Sequence, residues 1–188
     1  KIENLRKGRS RVLESDHTVI LGWSSKVVPI VHELCIANGT RKNASILILS
    51  ERDKIEAEDE LHHKVRHHGS TKLIVRSGDP MSLFDLDIAN PRTARSIIIL
   101  APDDVDDPDT VVIRTALALI NNPHRKNGKY HIVGEIKDPG NLEAARLVGG
   151  DEADWVMSKE LISRITVQTS RQSGLSVVFT ELLDFEGD

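Results

Sequence analysis

The residues best placed to do chemistry are Gly22, Trp23, Ser24 and Ser25, in the stretch His17–Ser25. A short apolar run, Thr18 to Leu21, meets Gly22 and then two hydroxyl residues; a helical apolar pattern follows with Val27, Val28, Ile30, Val31, Leu34 and Cys35. Strand, tight turn and helix in that order form the first unit of a nucleotide-binding α/β sheet, where free N–H groups at the helix start can receive an anion. Gly22 permits the turn, and Ser24 and Ser25 add hydroxyl donors. The glycine fingerprint is incomplete, because G-x-G-x-x-G needs glycine at 22, 24 and 27 and the chain has Gly22, Ser24 and Val27. Ser24 puts a side chain where backbone approaches a pyrophosphate, so the fold signal outlasts the ligand signal.

Other candidates cluster after the apolar runs, where open α/β sheets bind ligands. The second run ends in Ser50-Glu51-Arg52-Asp53 and the third in Ser77-Gly78-Asp79. Glu51 or Asp53 can accept ribose hydroxyls, although Glu51 lies 29 residues past Gly22 where about 20 is usual; Arg52 suits a phosphate instead. The fourth run leads into Asp103, Asp104, Asp106, Asp107 and Asp109, and the fifth carries Glu135. Asp103, Asp104, Asp106 and Glu135 are the candidate ligands for a hard cation such as Ca²⁺, which needs several oxygens at close range; acidic residues capping the next helix explain the same string. His62, His63, His67 and His68 share a predicted helix, with His63 and His67 four residues apart, which reads as a solvated face. No nucleophile elbow, P-loop, H-E-x-x-H or C-x-x-C occurs, and Tyr130 has Lys129 beside it rather than a helical turn away. Enzyme chemistry of the dehydrogenase type is therefore the least supported reading.

The elements that position these residues follow from periodicity. Apolar runs at Thr18–Leu21, Ser45–Leu49, Lys72–Val75, Ser96–Leu100, His131–Ile136 and Asp154–Met157 are rich in Ile, Leu and Val with little polar alternation. Such runs suit strands buried on both faces of a parallel sheet. Helical patterns span Lys26–Asn38, Lys54–His68, Pro80–Ala89, Asp109–Ile120 and Pro139–Val148. The alternation predicts a Rossmann-like, doubly wound α/β fold with strand order 3-2-1-4-5-6. Two more amphipathic helices, Leu161–Gln172 and Leu175–Phe185, are broken by Ser173-Gly174 and form a C-terminal helix-turn-helix. They pack back on the sheet or serve a partner.

The 188 residues, 39% hydrophobic and 29% charged, suit one globular domain with an aliphatic core, since aromatics are only 3%. A net charge of −4 gives no argument for a nucleic-acid partner. Cys35, the single cysteine, sits on an apolar helix face and reads as a buried thiol. The opening is basic, with Lys1, Arg6, Lys7, Arg9 and Arg11, a composition of solvated linkers and of juxtamembrane cytoplasmic segments. The chain opens without Met, as an excised fragment would.

Leu5-Arg6-Lys7-Gly8-Arg9-Ser10, Ile20-Leu21-Gly22-Trp23-Ser24 and Arg171-Gln172-Ser173-Gly174-Leu175, with Arg76-Ser77-Gly78-Asp79-Pro80 and Leu147-Val148-Gly149-Gly150-Asp151 between them, form a specific combination. In these motifs the chain resembles the CASTOR/POLLUX ion-channel family, in its RCK/TrkA-N-like cytosolic region. The resemblance implies three parts: residues 1–16, a basic linker after a pore helix; residues 17–158, the Rossmann domain; and residues 159–188, a crossover helix pair. It further implies a regulatory gating-ring domain on the cytosolic side of a membrane, coupling ligand binding to a cation pore. Its partners would be its own pore domain and neighbouring RCK-like lobes in a homo-tetramer, and its ligand Ca²⁺ or a nucleotide. The alternative is an NAD(H)- or nucleotide-sensing regulatory subunit of a potassium uptake system.

Overall fold

The computed structural model describes residues 8–65 and 69–185. Six strands form one parallel sheet: β1 Thr18–Leu21, β2 Ser45–Ser50, β3 Lys72–Ser77, β4 Ser96–Ile99, β5 Ile132–Glu135 and β6 Ala153–Val156. Their order across the sheet is β3-β2-β1-β4-β5-β6, as the alternation predicts. The switch point lies at β1, which pairs with β2 on one side and β4 on the other; Leu21 is opposite Leu49 and Ile99. All the loops at the carboxyl ends of the strands therefore open on one edge.

The strand residues alternate between two apolar layers. Val19, Leu21, Leu47, Leu49, Ile97, Ile99 and Ile132 face one layer with Val112, Ala116 and Leu119 of α4 (Pro108–Ile120) and Ala145 of α5 (Leu142–Gly149). Ile20, Ile46, Ile48 and Val75 face the other, with Val27, Val31 and Cys35 of α1 (Val27–Ala37) and Ala57 and Leu61 of α2 (Lys54–Lys64). Cys35 is buried, as its helical position implies.

Several boundaries differ from expectation. Pro80 does not start a helix. Asp79 Oδ1 accepts the Met81 N–H at 2.8 Å in a turn, and the helix α3 is only Leu83–Leu86, capped by Ser82 and continued by a single tight turn, Asp87–Ala89. Likewise Pro139–Asn141 is a tight turn that leads into α5. The His62 and His63 end of α2 is described, whereas His67 and His68 lie outside the described residues, as do Lys1, Arg6 and Lys7.

The described part of the basic opening is fastened to the domain. Gly8 O accepts the Ser77 N–H at 3.2 Å, and Ser10 O accepts from Arg76 Nε at 2.9 Å. Val12, buried at 3% exposure, donates its N–H to Ile88 O at 2.9 Å, and Asp16 pairs with Arg41 at 2.5 Å. Residues 8–16 thus form a strap that starts at the carboxyl end of β3.

The final pair, α6 Ser158–Arg171 and α7 Leu175–Leu183, contains no buried residue. Ile162, Val177, Leu182 and Leu183 are each more than half exposed. Among the described residues no helix is long and apolar enough to cross a membrane.

Candidate functional site at the strand ends

The turn after β1 is built on Gly22. Its φ is +91°, and an added Cβ would lie 3.0 Å from Leu100 O, so both conformation and space require glycine. Its N–H donates to Leu49 O at 2.9 Å, which ties the turn to β2. The following Trp23 lies against the guanidinium of Arg52, 4.6 Å from the ring centroid, a cation–π contact. Arg52 is itself held by Glu60 of α2 at 2.6 Å, and its carbonyl accepts from Ser77 Oγ at 2.8 Å.

A cavity of about 410 Å³ opens between these loops. Gly22 and Trp23 supply one wall, Glu51 and Arg52 a second, Asp79 and Met81 a third, and Asp104 and Val105 the fourth. Its floor is Leu21 and Leu100, with Val111 and Thr115 of α4 behind. Sequence reasoning had assembled Gly22, Trp23, Glu51, Arg52 and Asp79 as ligand candidates, and the fold brings all five to this cavity. Gly78 does not line it; it is buried, with its N–H on Ser50 O at 2.8 Å. Met81, Val111 and Thr115 were not foreseen, because nothing in their local sequence marks them.

Other candidates are placed elsewhere. Asp53, offered as a ribose acceptor, instead caps α2, accepting the N–H groups of Ile55 at 2.8 Å and Glu56 at 3.2 Å. Ser24 is buried and turns inward, its Oγ accepting the Lys26 N–H at 3.3 Å. The Ser25 N–H is taken by Asp103 Oδ2 at 2.6 Å.

The four candidate cation ligands are not gathered into one coordination shell. Asp103 is held by Ser25 and lies 3.8 Å from Lys137 Nζ. Glu135, 8% exposed, pairs with Lys26 and accepts from Ser158 Oγ at 2.5 Å. Asp104 lines the cavity, and Asp106 is exposed on the loop. Among the described residues no three His, Cys, Asp or Glu side chains stand close enough to hold a metal ion. The physical reason is that three of the five loop carboxylates, Asp103, Asp107 and Asp109, are spent on structure. Asp107 caps α4 through Thr110, and buried Asp109 accepts from Lys137 N and Asp138 N, both at 2.8 Å, and from Asn141 Nδ2 at 3.0 Å. Lys137 and Lys26, the counter-ions of Asp103 and Glu135, were missed, although Lys26 directly follows Ser25 and Lys137 stands two residues after Glu135.

Charge at the site follows this bonding. The Ser25 N–H holds the Asp103 carboxyl below the usual carboxylate range, and Lys137 and Lys26 add to the effect. Glu60 is lowered by its hydrogen bonds from Lys64 and Arg52.

A six-stranded parallel sheet flanked by helices is a fold shared with RCK domains. The human SLO3 gating ring superposes with a TM-score of 0.60 at 19% identity, over 88% of this chain and 28% of that one. The GsuK RCK domain gives 0.52 at 17% identity over 81% and 29%, and GsuK bound to ADP gives 0.51 at 20% over 79% and 34%.

Sequence relationships narrow the class further. The ion channel CASTOR of Lotus japonicus is 38% identical over 187 residues, 99% of this chain and 22% of that protein. The probable ion channel POLLUX of Arabidopsis thaliana is 36% identical over 186 residues, 98% of this chain and 22% of that one. A family described as "Castor and Pollux, part of voltage-gated ion channel" matches residues 159–188, the helix-pair end of the chain. Over nearly its whole length the chain is related in sequence to ion channels of the CASTOR/POLLUX type, and it spans 22% of the length of the Lotus japonicus relative.

Proposed function

We propose that the chain is a ligand-sensing regulatory domain on the cytosolic side of a tetrameric cation channel of the CASTOR/POLLUX type. The observation that carries this reading is the cavity at the switch point of the sheet, in a chain related to ion channels along 99% of its length. Four loops from β1, β2, β3 and β4 wall that cavity, so an occupant that draws them together favours one arrangement of the strand ends. Only a ligand that binds two arrangements differently can shift their balance.

Two features give the shift a path outward. The strap at residues 8–16 begins at Gly8, hydrogen-bonded to Ser77, two residues from the cavity residue Asp79. In a channel whose pore precedes this segment, that bond passes loop movement towards the pore. At the other end, α6 and α7 present apolar side chains that stay exposed among the described residues, and neighbouring RCK-like lobes would cover them.

Thermal unfolding of the chain with Ca²⁺, adenosine, ADP, ATP, NAD and NADH tests the reading, since a ligand of the native state raises Tm. At least one of these ligands is expected to raise Tm, and Trp23→Ala is expected to remove the rise. A rise that survives Trp23→Ala places the ligand elsewhere, and no rise with any of them contradicts the proposal.

A further inference from the structure

Three backbone donors at the amino end of α1 are engaged by the protein itself. The Ser25 N–H donates to Asp103 Oδ2 at 2.6 Å, the Lys26 N–H to Ser24 Oγ at 3.3 Å and the Val27 N–H to Ser24 O at 3.1 Å. Pro29, in the first turn, has no N–H to offer. Anions bind helix amino termini through these same groups. Asp103 reaches them from the loop after β4, 78 residues along the chain, so the contact is part of the tertiary fold.

The charges around it are already matched. Lys137 Nζ lies 3.8 Å from Asp103 Oδ1 and also donates to Pro102 O at 3.0 Å, while Lys26 pairs with Glu135. A phosphate arriving at the turn would find the Asp103 carboxylate in its place. The cavity beside the turn repeats the sign, with the carboxylates of Glu51, Asp79 and Asp104 on its walls. Its one guanidinium, Arg52, is bonded to Glu60.

We infer that Asp103, which caps the helix start beside the strand-end cavity without lining the cavity itself, determines which ligands the cavity takes: its carboxylate fills the anion position of the first turn and excludes ligands bearing phosphate esters. The inference rests on the reading of that cavity as the ligand site. It explains the incomplete glycine fingerprint as well. With an internal carboxylate in the anion position, Ser24 and Val27 need leave no room for a pyrophosphate.

Calorimetric titration of the chain with ADP, and with adenosine as the phosphate-free control, tests it. Asp103→Ala frees the Ser25 N–H and is expected to tighten ADP binding by on the order of tenfold or more, each tenfold being about 1.4 kcal/mol. Adenosine binding is expected to stay the same. Asp103→Asn keeps an acceptor but loses the charge, and an intermediate gain is expected; thermal melts establish that each variant is folded. Equal ADP affinity in all three proteins overturns the inference, as does an equal gain for adenosine, which would mean that space rather than charge was released. Adding Trp23→Ala to Asp103→Ala separates the two claims. ADP binding that persists without Trp23 counts against the cavity as the ligand site and overturns the inference with it, whereas equal ADP affinity with and without Asp103 overturns the inference alone.

Discussion

Gly22 shows how much a single position can report. Its positive φ and the 3.0 Å approach of Leu100 O leave no room for a side chain. Gly22→Ala is expected to lower the free energy of unfolding by about 1–3 kcal/mol, measured by urea denaturation. His17 makes a second residue-scale case. It is fully buried, its Nε2 bonds Ala89 O at 3.0 Å, and Nδ1 has no partner among the described residues. Burial pushes its pKa below the ordinary 6.5, against the raising influence of Ala89 O, Glu14 and Asp16. The unfolded chain therefore binds a proton more readily than the native one. The stability that this neutral histidine contributes is complete above the unfolded value and falls as pH drops through and below 6.5. Denaturation curves across pH 7 to 5 are expected to show this slope, and His17→Gln to flatten it. At this scale the Gly22–Ser25 turn was legible because its logic is local. Asp103 on Ser25 was not, since nothing within a string of five aspartates says which one crosses to another loop.

The strands were the most legible elements. Runs such as Ile46-Leu47-Ile48-Leu49 are apolar on both faces, and only a covered parallel sheet buries both. The helix after β3 was less so. Asp79-Pro80 has the composition of a helix start, yet Asp79 turns back to the Met81 N–H and the helix waits for Ser82. The basic opening was less legible still, because composition does not show that its described part is a strap with Val12 in the core. The β5–β6 side depends on close approach. A Cβ at Gly134 would run into Trp155 Cζ3, and one at Gly149 would lie 2.6 Å from Ala153 Cβ. Gly134→Ala is expected to cost about 1–3 kcal/mol through overpacking, read as a lowered midpoint in denaturant. Trp155→Leu is expected to relieve that cost in the double variant.

The whole molecule has a covered end and an uncovered one. Around β1 and β2 both apolar layers are closed by helices, while α6 and α7 expose Ile162 at 62% and Leu182 at 75%. Side chains so exposed add little to the stability of the chain that carries them. Ile162→Gln and Leu182→Gln are expected to change the unfolding free energy of this chain by no more than about 0.5 kcal/mol. In the parent channel the same substitutions are expected to weaken subunit assembly, measured by cross-linking of the purified oligomer. Apolar periodicity revealed this pair in the sequence, but only the fold shows how many of its apolar side chains stay exposed among the described residues. The central claim is that the strand-end cavity regulates a pore built elsewhere. Single-channel recording of the parent channel carrying Trp23→Ala tests it most directly. The account predicts a changed open probability at unchanged unitary conductance; an altered conductance, or an open probability indistinguishable from the unsubstituted channel, would contradict it.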